Sequence, residues 1–280
     1  MRKICEILSL FLAFSLVCTS CVFGVHQAND KTPIGKYLRS IKLTEKKSGM
    51  KFIDCIYVIN LDKRPERLAC IKEQFSKVGL RLNRVRGVEG WLLTEDQKQE
   101  LAGLYPVQLR PGEYGCLLSQ VSIYEDAYKR GFSHIWILED DAVIEKDVSQ
   151  IPLLLKELSQ IDPKWDVFYT DSDPRTHEKG YCKPTSMCPR PMQDVKPLAY
   201  YLERIKISEN IQLIRSRWGT YSYIVSRKGI RKLRNYFFHH YIWTPVDWDM
   251  HLVQGIREYS ALQDIVTNPL ERGVSDTLGT

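Results

Sequence analysis

Several features are missing from this sequence, and each absence removes a class of function. There is no GxxxxGK[ST] loop and no GxGxxG turn, so neither a Walker-type ATPase nor a Rossmann dehydrogenase is supported. No block of like charge runs longer than a few residues, and the formal net charge is only +6. A dedicated nucleic-acid protein would be more basic and would carry a recognisable motif, so no nucleic-acid partner is expected. No internal repeat is visible, which removes repeat architectures. Zinc-binding spacings are absent among the cysteines. Three of the eight, Cys5, Cys18 and Cys21, fall in the N-terminal segment and leave an odd five. An odd remainder argues against a complete disulfide framework. Cys55, Cys70 and Cys116 fall on apolar faces and read as small core residues. Cys182 and Cys188 flank "CKPTSMC" and could pair in an oxidising compartment.

What is present is an ordinary globular balance. The 280 residues are 44% hydrophobic and 26% charged, enough to bury a sizeable core. The N-terminus stands apart. "MRKICEILSLFLAFSLVCTSCVFG" has a positive start, an apolar run and then small residues, the three-part shape of a secretory signal. Residues 1–24 are read as a signal peptide, with an uncleaved signal anchor as the alternative. The clean apolar run from Ile7 to Val17 is short for a membrane span. On either reading the protein is exported or membrane-associated through this segment. Residues 25–50 are polar and read as a linker, and residues 51–280 as the functional domain.

That domain opens with "FIDCIYVINL", whose β-branched residues read as a buried strand. Pro65 suits the first turn of a helix. Leu68, Ile71, Phe75 and Val78 follow at helical spacing, and Gly79 ends the run. "LNRVRGV" reads as a second strand. A helix is expected from about Glu113 to Arg130, stopped by Gly131. "HIWIL", "DVFYT" and "YSYIV" read as further strands. Ile151 to Ile161 is helical by pattern, and Ser226 caps a helix through "RKGIRKLRNYF". This alternation predicts an α/β fold with a largely parallel central sheet flanked by helices. Residues 172–200 are punctuated by proline and read as a long surface loop, a place for an acceptor lid.

In such sheets ligands sit at the carboxyl ends of the strands. "HIWILEDD" places Glu139, Asp140 and Asp141 there. Extended alternation puts Glu139 and Asp141 on one face and points Asp140 away. Two carboxylates on one face suit Mn²⁺ or Mg²⁺, which take oxygen ligands and leave positions for phosphate. A solvated acidic turn is the bland alternative. "YVINLDKRPERL" supplies the complement, with Asn60 and Asp62 after a strand and Lys63, Arg64 and Arg67 at a helix start. Both helix N-termini and guanidinium groups favour phosphate, although an exposed basic helix start would look the same. In "RGVEGW", Glu89 lies between glycines and is suited to a ribose hydroxyl or a base, or to a simple turn.

"CIYVINLDKRPERL", "VRGVEGW" and "LRPGEYGCLLSQVSIYEDAYKRGFSHIWILEDDAVI" resemble, in order and spacing, the motifs of glycosyltransferase family 25. The similarity continues through "WGTYSYIVSRKGIRKL" and "PVDWDMHL". The family includes bacterial lipooligosaccharide glycosyltransferases and animal collagen galactosyltransferases. The resemblance implies a GT-A type nucleotide-sugar fold, a UDP-sugar donor, often UDP-galactose, and inversion at the anomeric carbon. The acceptor would be a glycan, a lipid-linked saccharide or a protein. It implies that Glu139 and Asp141 hold the metal and that Asp140 assists the donor. Asn60, Arg64 and Arg67 match the first donor-binding block, and Ser119 matches another. Glu89 stands where the family usually has Asp, and Gln120 replaces a usual His.

Inversion requires a base for the acceptor hydroxyl proton. Asp247, in "TPVDWDMHL", is the first choice, with a helix N-cap as its structural alternative. Asp171, in "FYTDSDP", is the second, as base or further metal ligand; Asp249 and Asp173 are also candidates. Trp243 and Trp248, near Asp247, suit stacking on a sugar ring, with a place in the core as the alternative. A metal-dependent phosphohydrolase would use the same acids and arginines. An exported glycan-binding protein on the same fold would use none catalytically.

Overall fold

The computed structural model of the protein describes residues 32–104, 107, 109–173, 190, 193 and 196–268. The leader at 1–24, residues 25–31, and most of the postulated 172–200 lid, including Cys182 and Cys188, lie outside these residues.

Strand β1 (Cys55–Asn60) shows why a sheet forms here. Cys55 and Tyr57 enter one apolar cluster while Ile56 and Val58 enter another. A strand buried on both faces needs this near-continuous apolar run. The remaining strands are β2 (Asn83–Arg86), β3 (His134–Glu139), β4 (Val143–Ile144), β5 (Val167–Tyr169), β6 (Arg204–Lys206), β7 (Ile211–Ile214), β8 (Ser222–Ser226), β9 (Glu258–Ala261) and β10 (Val266–Thr267). The helices are α1 (Pro65–Lys77), α2 (Glu95–Ala102), α3 (Pro111–Arg130), α4 (Ile151–Ile161), α5 (Leu198–Tyr201), α6 (Arg227–His239) and α7 (Val246–Asp249).

Eight strands form one sheet in the order β2-β1-β3-β8-β5-β9-β7-β6, and β4 pairs with β10 separately. The α/β class and the central sheet flanked by helices agree with the sequence reading, and six of the eight strands run one way while β8 and β7 oppose them. β2, β1 and β3 run parallel, as do β5 and β9. β8 lies antiparallel between β3 and β5, and β7 reverses again beside β9. Strands β6, β7 and β9 carried no clear alternation in the sequence and were not expected.

Helices α3 and α6 cover one face of the sheet. Leu117, Val121 and Tyr124 meet Ile230, Leu233 and Phe237 there. Helices α1 and α4 cover the other, with Ile71, Phe75, Leu154 and Leu158 packed around Trp136 and Phe168. Helix ends follow the expected signals. Ser226 Oγ accepts from the Gly229 amide at 3.2 Å, and Gly131 closes α3 in the left-handed region at φ 74°.

Residues 32–50, the described part of the stretch 25–50 read as a linker, pack onto this body. Pro33–Tyr37 form a 3₁₀ helix with Ile34 buried, Ile41 joins the core, and the Thr32 amide donates to Phe238 O at 3.0 Å. Tyr37, Leu38 and Leu43 pack beside them, and the Thr44 and Glu45 amides donate to Asn83 Oδ1, both at 2.8 Å. Among the described residues, no helix is long and apolar enough to cross a membrane.

Candidate active site

The carboxyl ends of β1, β2 and β3 meet because these strands are parallel neighbours. Ile59 pairs with Glu139, and Asn60 with Arg86. A shallow cleft opens there, lined among others by Asn60, Arg67, Trp91, Glu139, Asp140 and Asp141. Beside it lies a larger cavity of about 490 Å³, lined among others by Thr220, Trp218, Asp247 and Trp248. Cys116, Glu139 and Asp141 line both. The acidic triplet therefore stands at the junction of two adjoining spaces.

The triplet is not extended as expected. β3 ends at Glu139, and the Ala142 amide donates to Glu139 O at 3.1 Å, closing a turn. Asp140 consequently does not point away. It lines the cleft with its neighbours, and Arg67 Nη1 lies 3.6 Å from Asp140 and 3.9 Å from Asp141. Asn60 holds this arrangement. Its Nδ2 donates to Asp140 Oδ2 at 2.7 Å and to Arg64 O at 2.8 Å, while its Oδ1 accepts from Arg84 Nε at 2.9 Å. Asn60 is thus spent on positioning Asp140 and the start of α1. The Arg64 side chain is partly exposed near Glu66 and does not line the cleft. Of the basic pair expected there, Arg67 is the one at the site.

Crowded acids in a desolvated place resist ionisation. Burial, then the charge of Asp141, push the Glu139 carboxyl up to about 8, with Asp140 and Asp247 adding to the effect. Thr220 opposes it by donating to Glu139 Oε1 at 2.9 Å. Burial also raises Asp140 to about 6, against the Asn60 hydrogen bond and the Arg67 charge. Negative charge at the junction is in excess over the one lining cation, Arg67, among the described residues.

Glu89 sits half-buried on the bend after β2, where its carbonyl accepts from Leu92 N, and its side chain does not line the cleft. Ser119 does line it, but its hydroxyl is engaged by backbone. It donates to Gly115 O at 2.6 Å and accepts from Val88 N at 2.8 Å. That clasp ties the bend to α3. Gln120 is fully buried, accepts from the Tyr223 hydroxyl, and serves the core.

Asp247 stands in the first turn of α7 and faces the larger cavity. Pro245 occupies the N-cap position, so Asp247 is not a cap. Its Oδ2 accepts from the Gly219 amide at 2.9 Å, and burial raises its carboxyl above the usual range. Asp171 is placed otherwise. It is fully buried, receives Arg217 Nη1 at 2.8 Å and Nη2 at 3.2 Å, and also accepts from the Tyr221 hydroxyl. Both of its oxygens are engaged by Arg217 and Tyr221, and although Tyr221 lines the larger cavity, Asp171 itself lines neither space. Asp173 and Asp249 are likewise held by Arg204 and Arg190.

Trp248 lines the larger cavity, where its ring and that of Trp218 lie with centroids 4.6 Å apart at 69°. Sequence reasoning missed Trp218 and Thr220, although both lie in the quoted "WGTYSYIV" block. It also missed Cys116, read as core, which lies on the α3 face between the two spaces. Its thiol is raised well above the usual range by burial and by Glu139 and Asp247.

The family model described as glycosyltransferase family 25 (LPS biosynthesis protein) matches residues 53–250. The chain belongs to glycosyltransferase family 25. Among relatives, it is 28% identical over 126 residues to the human protein named inactive glycosyltransferase 25 family member 3, covering 41% of this chain and 21% of that one. It is 30% identical over 118 residues to a glycosyltransferase 25 family member of Drosophila pseudoobscura pseudoobscura, covering 39% and 19%. The counterpart in Drosophila melanogaster is 25% identical over 154 residues, covering 52% and 25%. The chain thus spans about a fifth to a quarter of the length of these relatives. The crystal structure of A197 from STIV overlays with a TM-score of 0.37 at 10% identity, covering 79% of this chain and 97% of that one. An overlay at that level carries no argument. Within the family-25 match lie Asn60, Arg67, the acidic triplet and Asp247, together with both walls of the junction.

Proposed function

We propose that this family-25 chain transfers a hexose from a UDP-sugar to a hydroxyl of a glycan or glycoconjugate, with inversion. The observation that carries the reading is the pair of adjoining spaces that share Glu139 and Asp141. A transferase must hold two substrates side by side, and a hydrolase needs only one such space. The cleft at the strand ends is assigned to the donor, and the larger cavity to the acceptor.

A divalent cation fits the residues present. Among the described residues, no group of three or more His, Cys, Asp or Glu is placed to hold a metal ion by itself. Mg²⁺ and Mn²⁺ sites in phosphate chemistry commonly take one or two protein carboxylates and complete their shell with phosphate and water. Glu139 and Asp141 would hold it, and its charge would offset the burial and the Asp141 repulsion that together push Glu139 up to about 8. When bound, the cation offsets the charge of the diphosphate leaving group.

The chain's own residues supply the rest. Asn60 and Arg67 fix Asp140 at the cleft wall. Thr220 orients Glu139. The acceptor oxygen bonds to the anomeric carbon from the face opposite the leaving group, and the bond to the diphosphate oxygen breaks with its electron pair. Asp247 takes the acceptor proton. Burial raises its carboxyl and so makes it a stronger base than an ordinary aspartate, while the Gly219 amide opposes that shift by donating to the carboxylate. The apolar faces of Trp218 and Trp248 suit a sugar ring. Their indole N–H groups have no hydrogen-bond partner among the described residues.

A second reading is non-catalytic glycan binding, since the human relative is named inactive. Metal-dependent release of UDP from UDP-sugars separates the two. Transferase function predicts release that Asp141→Ala abolishes with the near-UV spectrum unchanged. Full release by a folded Asp141→Ala protein would overturn the metal assignment. Glycan binding with no UDP release from any UDP-sugar would establish the second reading.

A further inference from the structure

Trp91 has no task in the transfer reaction. Trp91 lines the donor cleft yet stays 37% exposed, in a protein that buries most of its large aromatics. Its backbone is held firmly. Trp91 belongs to the 3₁₀ helix Gly90–Leu92, which packs backbone to backbone on the start of α3. A Cβ at Gly90 would lie 1.8 Å from Pro111 O, and one at Gly115 would lie 2.3 Å from Val88 O. Ser119 Oγ accepts from the Val88 amide as a third anchor. An indole kept at a cleft wall on such a rigid mount presents its face with little ordering left to do on binding.

The charges around the ring narrow the ligand. Lys63 Nζ lies 4.2 Å from the Trp91 ring centroid, and Arg67 lines the same cleft. A flat π-surface beside cations matches a ligand with a planar ring at one end and phosphate at the other. We propose that Trp91 is the stacking platform for the nucleobase of a nucleoside diphosphate. The proposal rests on the donor reading of this cleft and adds the residue that separates a nucleotide from a bare diphosphate. Lys63 stays beside the ring and contributes to the phosphate end, as an ammonium on a flexible stem can. The ring is sequence-tolerant in principle, since every base has a π-face, so Trp91 sets affinity for a nucleotide rather than choice among bases.

Calorimetric titration of the full chain with UDP, inorganic pyrophosphate and a hexose 1-phosphate, in magnesium buffer, tests this. Trp91→Ala is expected to weaken UDP binding by about 10-fold and to leave pyrophosphate binding unchanged, while Trp91→Phe retains most of the UDP affinity. The side chain is partly exposed, so both variants are expected to fold as the parent does. A change below about twofold in UDP affinity for Trp91→Ala would overturn the proposal and leave the donor reading standing. Parallel loss of pyrophosphate binding would make Trp91 a structural residue instead. Loss of hexose 1-phosphate binding with UDP spared would turn the ring toward the sugar and sink the proposal. A parent protein that binds neither UDP nor pyrophosphate would overturn the donor reading and this proposal together.

Discussion

Asp171 gives the sharpest test, because the sequence offers it as a catalytic base and the structure makes it half of a buried ion pair. Arg217 and Asp171 are exposed by only 1% and 0% at their side chains. The guanidinium donates twice to the carboxylate, at 2.8 and 3.2 Å, and once to the Tyr221 hydroxyl at 2.8 Å. It also lies 4.3 Å from the centroid of the Tyr169 ring. Asp171→Ala would leave that cation buried without its counter-charge. Breaking such a pair from one side costs about 3–5 kcal/mol. For a domain of this size each kcal/mol moves the midpoint by about 2–4 °C, so a fall of roughly 6–20 °C is expected. Urea unfolding with an unchanged slope should give the same free-energy loss. Replacing both partners, Asp171→Leu with Arg217→Met, should recover much of it, because neither charge is then stranded. A catalytic base would behave in the opposite way, with activity lost and stability kept. Should Asp171→Ala unfold within about 1 kcal/mol of the parent, the ion-pair argument is refuted.

Other outcomes follow from single contacts. Asp247→Asn should lower the rate of UDP release with acceptor present by about 10²–10⁴-fold while leaving the unfolding midpoint within a few degrees, and an unchanged rate would remove Asp247 as the base. Gly115→Ala should destabilise by about 2 kcal/mol or more through its clash with Val88 O. Gly131→Ala meets nothing within 4 Å and should lose only the left-handed penalty of about 1 kcal/mol. Equal losses in urea titrations of the two variants would contradict the close-packing argument. Burial lowers His134 below its usual range, although Asp54 opposes the shift. The unfolded chain therefore binds the extra proton first, so this contribution is complete above the unfolded value near 6.5 and is lost as pH falls through it. His134→Gln should flatten that decline between pH 7.5 and 5, and an unchanged slope would show that His134 does not drive it.

The parallel block was legible from residues alone. β1, β2 and β3, with α1 and α3, announce themselves by β-branched runs, helical apolar spacing and a closing glycine. Their sheet order then places Asn60 and the acidic triplet at one edge. Asp247 was likewise readable, since a carboxylate after a proline at a helix start is visible in one dimension. The short strands β6, β7 and β9 were not, because three or four residues carry too little alternation to separate from a loop. The reversals that make the sheet mixed lie at β8 and β7.

The site divides along the same line. Sequence by itself determined the chemistry on offer: clustered carboxylates after a buried strand, arginine at a helix start, aromatics beside a late aspartate. Those follow from composition and spacing, which need no neighbours. Only the tertiary structure decided which groups are free to act. The turn at Glu139–Ala142 brought Asp140 into the cleft where strand alternation pointed it away. Arg217 withdrew Asp171 into the core, and Asn60 was spent on its neighbours. A side chain's availability depends on what surrounds it in space. Arg217 lies 46 residues from Asp171, and Asn60 lies 80 from Asp140.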